Sequence, residues 1–372
     1  MSTNRRRVTL KDVAARAGVS LMTASYTFTR PSRVADATRE RVHRAAGELG
    51  YHPDAVGRAL KSGKTRQLGV VFGEHLVYAF DDPQTAKFLA GVAEVCVEEG
   101  QGLTFIPTRG DAGDVDRVLS SAVDAFVLWT TTEDDPVLAA VAADPRPAVI
   151  QGGPARTGIA CVTQNDEDAA RAIVARALRG GAAQPRAEGD SGRRRTGDTS
   201  GKALTGDAGH GKGRSRRPVV ISFPLDRGRA AVTTTGSGLP AHVPFPVTDA
   251  RLRGYRAAIE EAGLDWAETP VAVVARNTRA DGAAAARALA PHLPPDALVI
   301  AMSDELAIGA REALRDTHPG AAYLGWDASP AAQELGIVSV ANPLRDQGRR
   351  CARLALDPDG HAESEIPWSI TG

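Results

Sequence analysis

The feature that most restricts the fold of this chain is a regular alternation of two kinds of segment from Leu68 onward. Eight short apolar runs have the composition of buried strands: LGVVF, LTFIP, AFVLW, AVIQ, VVISF, VAVVA, ALVIAM and AYLGW. Alanine-rich stretches with helical patterns lie between them, at Thr85–Glu99, Asp166–Arg179, Val247–Ala262 and Asp304–Arg315. Strands that alternate with helices form parallel sheets with helices on both faces. So many strands predict two such α/β lobes.

A short helical unit precedes this body. Thr9 is expected to cap a first helix with Asp12 as its capping-box partner, and Gly18 supplies the left-handed residue that ends it. Ser20 is expected to cap a second helix from Leu21 to about Phe28. A third helix follows Asp36, which we expect to act as its cap, and ends at Gly50. Two short helices joined by a tight glycine turn and supported by a third are typical of a helix-turn-helix unit.

The charge of the chain is unevenly distributed, although its formal net charge is zero. Residues 1–66 contain fourteen Lys/Arg and five Asp/Glu, so this segment carries +9 and the remainder carries −9. A basic head on an acidic body indicates that the head meets a polyanion. Charge alone leaves a second interpretation open, a basic arm that is simply solvated.

Several motifs resemble those of the lactose-repressor (LacI/GalR) family of transcriptional regulators. They are VTLKDVAARAGVS, TRERVHRAAGELGYHPDAVGRALKSGKT and LGVV near the start, and RLRGYRAAIEEAGL, AMSDELAIGA, YLGWDASP and NPLRDQG later. The resemblance covers almost the whole chain. It implies a sequence-specific DNA-binding regulator, most often a repressor, which binds a pseudo-palindromic operator in double-stranded DNA as a homodimer. It further implies that a small sugar-like effector controls DNA binding allosterically.

The implied fold class is α followed by α/β, with a helix-turn-helix head, a hinge helix and a two-lobed, periplasmic-binding-protein-like sensor domain. The expected domains are residues 1–53 for the head, 54–66 for the hinge and linker, and 67–372 for the sensor and dimerisation domain. We expect the chain to cross between the lobes near residues 164, 340 and 357. Residues 182–217 are rich in glycine and charge and are predicted to be a disordered insert.

In a helix-turn-helix unit the start of the second helix meets base edges in the major groove. Leu21, Met22 and Tyr26 occupy that region here, and Tyr26 departs from the polar or basic residue frequent in the family. Small hydroxyl residues such as Ser20 and Thr23 suit phosphate oxygens. In relatives a leucine of the hinge helix wedges the central base step, and Leu60 stands at that position. The full predicted DNA-binding set is Thr9, Ser20, Leu21, Met22, Thr23, Tyr26, Arg33, Thr38, Val56, Leu60 and Lys61.

Ligands of open α/β sheets bind at the carboxyl ends of strands. Asp327 follows the run AYLGW, Ser303 follows ALVIAM, and Arg251 opens the helix RLRGYRAAI. These residues match the family's effector positions, and an Arg with an Asp can bind hydroxyl pairs or a charged small molecule. Each of them alone is also explained as a helix cap or a surface ion pair. The predicted effector-binding set is Tyr78, Phe80, Gln151, Arg251, Ser303 and Asp327.

Other classes of function find less support in the sequence. The segment Gly206–Gly213 nearly spells a phosphate-binding loop, but Gly213 replaces the required Ser/Thr and no strand precedes it. The three cysteines, Cys96, Cys161 and Cys351, match no metal or disulfide spacing. We find no nucleophile elbow or intact dinucleotide motif, so no enzyme activity, cofactor or metal is expected. With neither a secretory signal nor an apolar run of bilayer length, we expect a cytoplasmic, nucleoid-associated protein and no membrane partner.

Overall fold

The computed structural model describes residues 8–52, 63–75, 80, 82–156, 158–180, 216–359 and 365–372. The chain divides into two compact units, one formed by residues 1–66 with 122–124 and the other by residues 67–121 with 125–372. We refer to them as the head and the sensor domain. The hinge prediction for residues 54–62 and almost all of the predicted insert, residues 182–215, lie outside the described residues.

The described part of the head contains three helices, α1 (Leu10–Ala17), α2 (Leu21–Thr29) and α3 (Asp36–Leu49). Thr9 and Asp12 form the predicted capping box, and Gly18 adopts the left-handed conformation with φ of 63°. Ser20 caps α2 by accepting from the Thr23 N–H at 3.0 Å. These predictions are confirmed. The predicted cap of α3 is wrong, because α3 begins at Asp36 itself and the capping position belongs to Ala35, which has no side-chain acceptor.

The core of the head is small and consists of apolar residues that recur once per helical turn. Its fully buried members come from all three helices: Val13, Ala14, Ala24, Val42, Ala45 and Ala46. Phe28 closes one side of this core, with its ring 5.3 Å from that of His43 in an edge-to-face arrangement. The head therefore has a hydrophobic core of its own, as the helical periodicity predicts.

The described part of the sensor domain contains two sheets, one in each lobe. The first lobe has the parallel strands β1 (Gln67–His75), β2 (Gly102–Thr108), β3 (Ala125–Trp129), β4 (Ala148–Gln151) and β5 (Ala160–Val162), in the spatial order β2-β1-β3-β4-β5. The second has β6 (Pro218–Ser222), β7 (Val232–Thr235), β8 (Pro270–Val273), β9 (Leu298–Ala301), β10 (Ala322–Trp326), β11 (Val338–Ala341) and β12 (Ser369–Thr371), in the order β12-β11-β10-β9-β6-β8-β7. The two edge strands β12 and β7 are antiparallel to their neighbours.

Helices cover both sheets. The first lobe carries α4 (Pro83–Glu98), α5 (Asp114–Leu119) and α6 (Pro136–Ala143). The second carries α7 (Asp166–Leu178), α8 (Pro246–Glu261), α9 (Arg279–Leu289), α10 (Asp304–Leu314) and α11 (Pro330–Glu334). The last helix, α12 (Leu344–Leu356), follows β11 of the second lobe but packs in the core of the first, among Phe88, Trp129 and Val149. The chain thus passes between the lobes after β5, after β11 and after α12.

Pairs of helices approach each other closely through glycine. In the contact between α4 and α12, a Cβ on Gly91 would collide with the carbonyl oxygen of Arg345, and a Cβ on Gly348 would collide with that of Phe88. The contact between α9 and α10 repeats this arrangement with Gly282 and Gly309. Any side chain at these positions would push the helices apart, so glycine is what allows each pair to pack at this close separation.

Candidate functional site

The carboxyl ends of the parallel strands in both lobes line a single cleft in the sensor domain. The first lobe contributes Trp129 at the end of β3 with Thr130 directly after it, Gln151 at the end of β4, and Gln164 after β5. The second lobe adds Phe223 after β6, Arg276 and Asn277 after β8, Asp327 after β10 and Asn342 after β11. Helices α4, α8 and α12 complete the wall with Gln84, Arg251 and Gln347. The cleft therefore lies where the topology of an open α/β sheet predicts a ligand site.

Arg251 is held on three sides within this cleft. Its side chain is 4% exposed, and its Nε donates to Oδ1 of Asp166 at 2.9 Å. Its Nη1 donates to the carbonyl oxygen of Met302 at 2.7 Å. The guanidinium also stacks on Trp326, 3.6 Å from the ring centroid. A planar cation held in one orientation in this way presents a fixed edge to the cleft.

Asp327 combines burial with an unusual backbone conformation. It is 9% exposed and has φ of 101°, which side chains other than glycine seldom adopt. Burial, with smaller contributions from the carboxylates of Asp304 and Asp82, raises the pKa of Asp327 to about 7. A carboxyl group of this kind can accept hydrogen bonds when ionised and can donate one when protonated.

A chain of side-chain hydrogen bonds runs across the cleft and ends at Asp327. The Nε2 of Gln151 donates to Oε1 of Gln347 at 2.6 Å. Gln347 in turn donates from its own Nε2 to Oδ1 of Asn342 at 2.9 Å. Asn342 lies with its Nδ2 3.5 Å from Oδ1 of Asp327, at the limit of a hydrogen bond. Gln151 in the first lobe is thus connected to Asp327 in the second.

Ser303 lies behind the wall of the cleft. Its hydroxyl caps α10 by accepting from the Leu306 N–H at 3.1 Å and donates to Oδ1 of Asn277 at 2.5 Å. Asn277 is the residue that reaches the cleft, and its Nδ2 donates to Oδ1 of Asp82 in the first lobe at 3.1 Å. Asp304 forms no cap, because its two carboxylate oxygens accept from the Ser339 hydroxyl and from the Ser329 N–H.

The remaining predicted effector residues fall outside the cleft lining or outside the described residues. Phe80 is 66% exposed, and its ring lies 6.2 Å from that of Phe105 on the edge strand β2. Tyr78 lies outside the described residues. Of the six residues in the predicted set, Gln151, Arg251 and Asp327 meet at the cleft.

Sequence reasoning did not single out several cleft residues that the structure brings to the same place. They include Asp82, Gln84, Gln164, Asn277, Asn342 and Gln347. Most of them directly follow the end of a parallel strand or begin the helix after it, which is the signal that selected Asp327. Asn342 and Gln347 stand within NPLRDQG, one of the motifs that carry the resemblance to the family.

In the head, the first residues of α2 are exposed although they are apolar. Leu21 is 53% exposed and Met22 is 64% exposed. Tyr26, one turn later, is half-buried, with the guanidinium of Arg30 6.0 Å from its ring centroid. Thr9 and Arg33 are exposed, whereas Thr38 is half-buried in the first turn of α3. Val56, Leu60 and Lys61 lie outside the described residues.

Other kinds of site find no support in the described part of the chain. There, no group of three or more His, Cys, Asp or Glu side chains is arranged to hold a metal ion. Cys96, Cys161 and Cys351 are free thiols. None of the helices within the described ranges has the length and apolar content needed to cross a bilayer.

Two family descriptions match separate parts of the chain. Residues 9–54 match the bacterial regulatory proteins of the lacI family. Residues 245–318, which include Arg251, Asn277 and Ser303, match the periplasmic binding proteins and sugar binding domain of the LacI family. The first match covers α1 to α3, and the second covers α8 to α10 of the second lobe.

Several known proteins are similar to this chain over almost its whole length. An HTH-type transcriptional regulator of Mycobacterium tuberculosis is 31% identical over 366 residues, which cover 96% of this chain and 92% of the relative. A solved complex of the transcriptional regulator CelR with cellobiose is 25% identical with a TM-score of 0.60 and covers 98% of this chain and 99% of that one. The lac repressor dimer bound to operator and the anti-inducer ONPF has a TM-score of 0.70 at 18% identity, over 99% of this chain and 98% of that one. The last similarity concerns the fold alone.

Proposed function

This chain belongs to the lacI family of bacterial regulatory proteins, and we propose that it is a repressor that releases or binds its operator in response to a small molecule in the cleft. Members of this family are DNA-binding transcriptional regulators rather than enzymes, and this chain is one of them. The proposal adds four properties: repression, a pseudo-palindromic operator, a homodimer and allosteric control by a sugar-like effector.

The observation that supports the proposal is the presence of two different sites in one chain. The head exposes Leu21 and Met22 at the start of α2, where a helix-turn-helix unit meets base edges. The sensor domain has a cleft in which Arg251 and Asp327 are held in buried, defined positions. Allosteric control requires two distinct sites that bind different ligands, and a DNA-binding head joined to a ligand-binding domain provides them.

The homodimer and the palindrome are linked by symmetry. A two-fold dimer presents its two heads in inverted orientation, so its operator contains two inverted half-sites. The hinge enters the proposal through Leu60, which resembles the residue that relatives wedge into the central base step. We propose residues 1–53, 54–66 and 67–372 as the head, hinge and sensor domains, with the DNA-bound protein in the cytoplasm.

Effector control follows from the two lobes. A ligand that binds one separation of the lobes more tightly than another shifts the population toward that separation. CelR was solved with cellobiose, and the second lobe here matches a sugar-binding domain. We therefore propose a sugar or a related polyhydroxyl metabolite as the effector.

Selection from random duplex DNA at physiological salt tests the proposal. The full-length protein should retain a palindromic sequence with an easily deformed central step, and retention should change when the effector is added. Enrichment of no motif, or only general binding that disappears as salt rises, would overturn the proposed operator. Leu60→Ala should weaken binding and bending of the selected DNA. If this variant binds and bends DNA like the unmodified chain, the wedge is wrong.

A further inference from the structure

Three side chains of the cleft, Gln84, Gln164 and Asp327, carry buried polar atoms without a hydrogen-bond partner in the described protein, and Gln164 is the one whose amide oxygen and nitrogen both lack a partner. Gln164 is 4% exposed, and neither its Oε1 nor its Nε2 has a partner. The Oδ2 of Asp327 likewise has none. Both side chains line the same cleft. A buried polar atom without a hydrogen-bond partner costs free energy. A ligand that displaces water and forms hydrogen bonds with these atoms would therefore be stabilised in the cleft.

The position of Gln164 explains why its amide is unused. It follows β5, where the chain passes into the second lobe, and its backbone carbonyl accepts from the N–H of Asp166 at 2.9 Å. Asp166 in turn binds Arg251. The neighbouring ion pair is therefore satisfied without Gln164, whose amide offers a donor NH2 group and an acceptor oxygen whichever way it is oriented.

The arginines of the cleft already have acceptors within the protein. Arg251 donates to Asp166 and to the Met302 carbonyl. Arg276 lies 3.5 Å from Oδ2 of Asp281, and Nη1 of Arg229 donates to the carbonyl of Ala275 at 3.0 Å. An anionic ligand would consequently have to compete for these cations, and it would meet the acceptor oxygen of Asp327 as well.

We propose that Gln164, together with Asp327, selects a neutral polyhydroxyl effector and rejects its phosphorylated or carboxylated forms. A hydroxyl group both donates and accepts, so one hydroxyl can satisfy either atom of the Gln164 amide, while another donates to Oδ2 of Asp327. A phosphate or carboxylate group placed here cannot donate to the Gln164 oxygen, which stays unpaired, and it is repelled by the ionised form of Asp327. This inference rests on the proposed effector role of the cleft and adds a specificity-determining residue to it.

The first measurement compares matched ligands by titration calorimetry of the full chain without DNA. The probes are glucose with glucose 6-phosphate and glucuronate, ribose with ribose 5-phosphate, glucitol with glucitol 6-phosphate, and cellobiose. We expect a neutral probe to bind and its charged counterparts to bind at least about tenfold more weakly, since a lost hydrogen bond and an unpaired oxygen together exceed 1.4 kcal/mol. Tighter binding of a charged member, or binding of no neutral member, would overturn the inference.

The second measurement assigns the selection to Gln164. Gln164→Met keeps the length of the side chain and removes both the donor and the acceptor, and it should weaken the neutral probe by about tenfold to a hundredfold. Gln164→Glu should weaken it further, because a second carboxylate joins Asp327. Gln101→Met is the matched control: the Oε1 of Gln101 is also buried without a partner, but Gln101 does not line the cleft. Binding by Gln164→Met equal to that by Gln101→Met would exclude Gln164 as the determinant.

The outcome separates this inference from the proposed function. All three variants should select the same DNA motif as the unmodified chain, because Gln164 and Gln101 lie in the sensor domain. If a neutral sugar alters retention of operator DNA but Gln164→Met binds it normally, only the specificity inference fails. If a sugar binds through Gln164 and leaves operator binding unchanged, the proposed allosteric control fails and the specificity inference stands.

Discussion

The guanidinium of Arg251 stacks on the indole of Trp326 at 3.6 Å from the ring centroid while its Nε binds the carboxylate of Asp166 at 2.9 Å. The indole N–H of Trp326 donates to the Tyr255 hydroxyl at 2.7 Å, which fixes the ring beneath the cation. Residues from α7, α8 and β10 thus form one buried stack in the second lobe. The stack makes Arg251 part of the folded core as well as of the cleft.

Arg251→Ala should therefore destabilise the sensor domain and not only weaken ligand binding. The substitution leaves Asp166, which is 7% exposed, with a buried and unpaired charge, and breaking such a pair costs about 3–5 kcal/mol. Arg253→Ala on the same helix is the control, because Arg253 is 55% exposed and its ion pairs are expected to contribute less than about 1 kcal/mol. Urea unfolding followed by tryptophan fluorescence measures both. Equal losses would show that the stack adds no stability.

Asp327→Asn should stabilise the protein, and it should do so more at pH 8 than at pH 5. Because the folded pKa of Asp327 is raised from its usual value to about 7, the stability of the unmodified chain falls as pH rises through that range. Removing the titrating group removes this loss, by at most about 4 kcal/mol. Thermal unfolding at the two pH values tests this. Asp316→Asn, at a carboxylate that is 87% exposed, is the matched control.

Leu21→Ala with Met22→Ala should reduce operator affinity by about tenfold or more without unfolding the head. Both side chains are more than half exposed, and removing exposed apolar groups changes stability by within about 0.5 kcal/mol. Contacts to thymine methyls or other base edges contribute about 1–3 kcal/mol to the difference in binding free energy between the correct and the wrong base, and the double variant loses them. Fluorescence anisotropy with the selected operator provides the measurement. Val232→Ala, at an exposed apolar residue of the sensor domain, should leave affinity unchanged. Undiminished binding by the double variant would remove these residues from the interface.

Gly348→Ala should destabilise the sensor domain by about 1–3 kcal/mol or more, because its Cβ would collide with the carbonyl oxygen of Phe88. Gly47→Ala should act in the opposite direction. Gly47 lies within α3 and has no atom within 4 Å of the added methyl group, so alanine should stabilise that helix by about 0.5–1 kcal/mol. Differential scanning calorimetry of the two variants tests both signs. A stable Gly348→Ala variant would mean that α4 and α12 can move apart at little cost.

The long, regular elements were predictable from the sequence because local patterns determine them. All eight predicted strands are present, and the four predicted sensor helices begin and end within two residues of their expected bounds. Four strands were missed: β5, β7, β11 and β12. They have three or four residues each, and β7 and β12 are edge strands. Segments this short carry too little periodicity to be separated from loops.

The cleft was predictable only in part, since its contacts join distant parts of the chain. Asp327 follows from its place at the end of a strand. Arg251 follows from its match to the family's effector position, although it does not open its helix as expected, because α8 begins five residues earlier at Pro246. The bond between Gln151 and Gln347 joins residues 196 positions apart, and no local pattern indicates it. Ser303 was expected at the cleft because it follows β9, yet the cap of α10 directs its hydroxyl to Leu306 and Asn277.

The position of α12 determines which of the two units can fold first during synthesis. The hydrophobic core of the head is formed by residues between Leu10 and Tyr51, so it is complete early in synthesis. The core of the first lobe is incomplete until α12 has been synthesised, because Leu344, Cys351 and Ala352 of α12 form one wall of the core around Phe88 and Trp129. Since domains fold as their chain emerges from the ribosome, the head can fold long before the sensor domain can. A chain that ends before α12 would contain a folded head and an incompletely folded sensor domain.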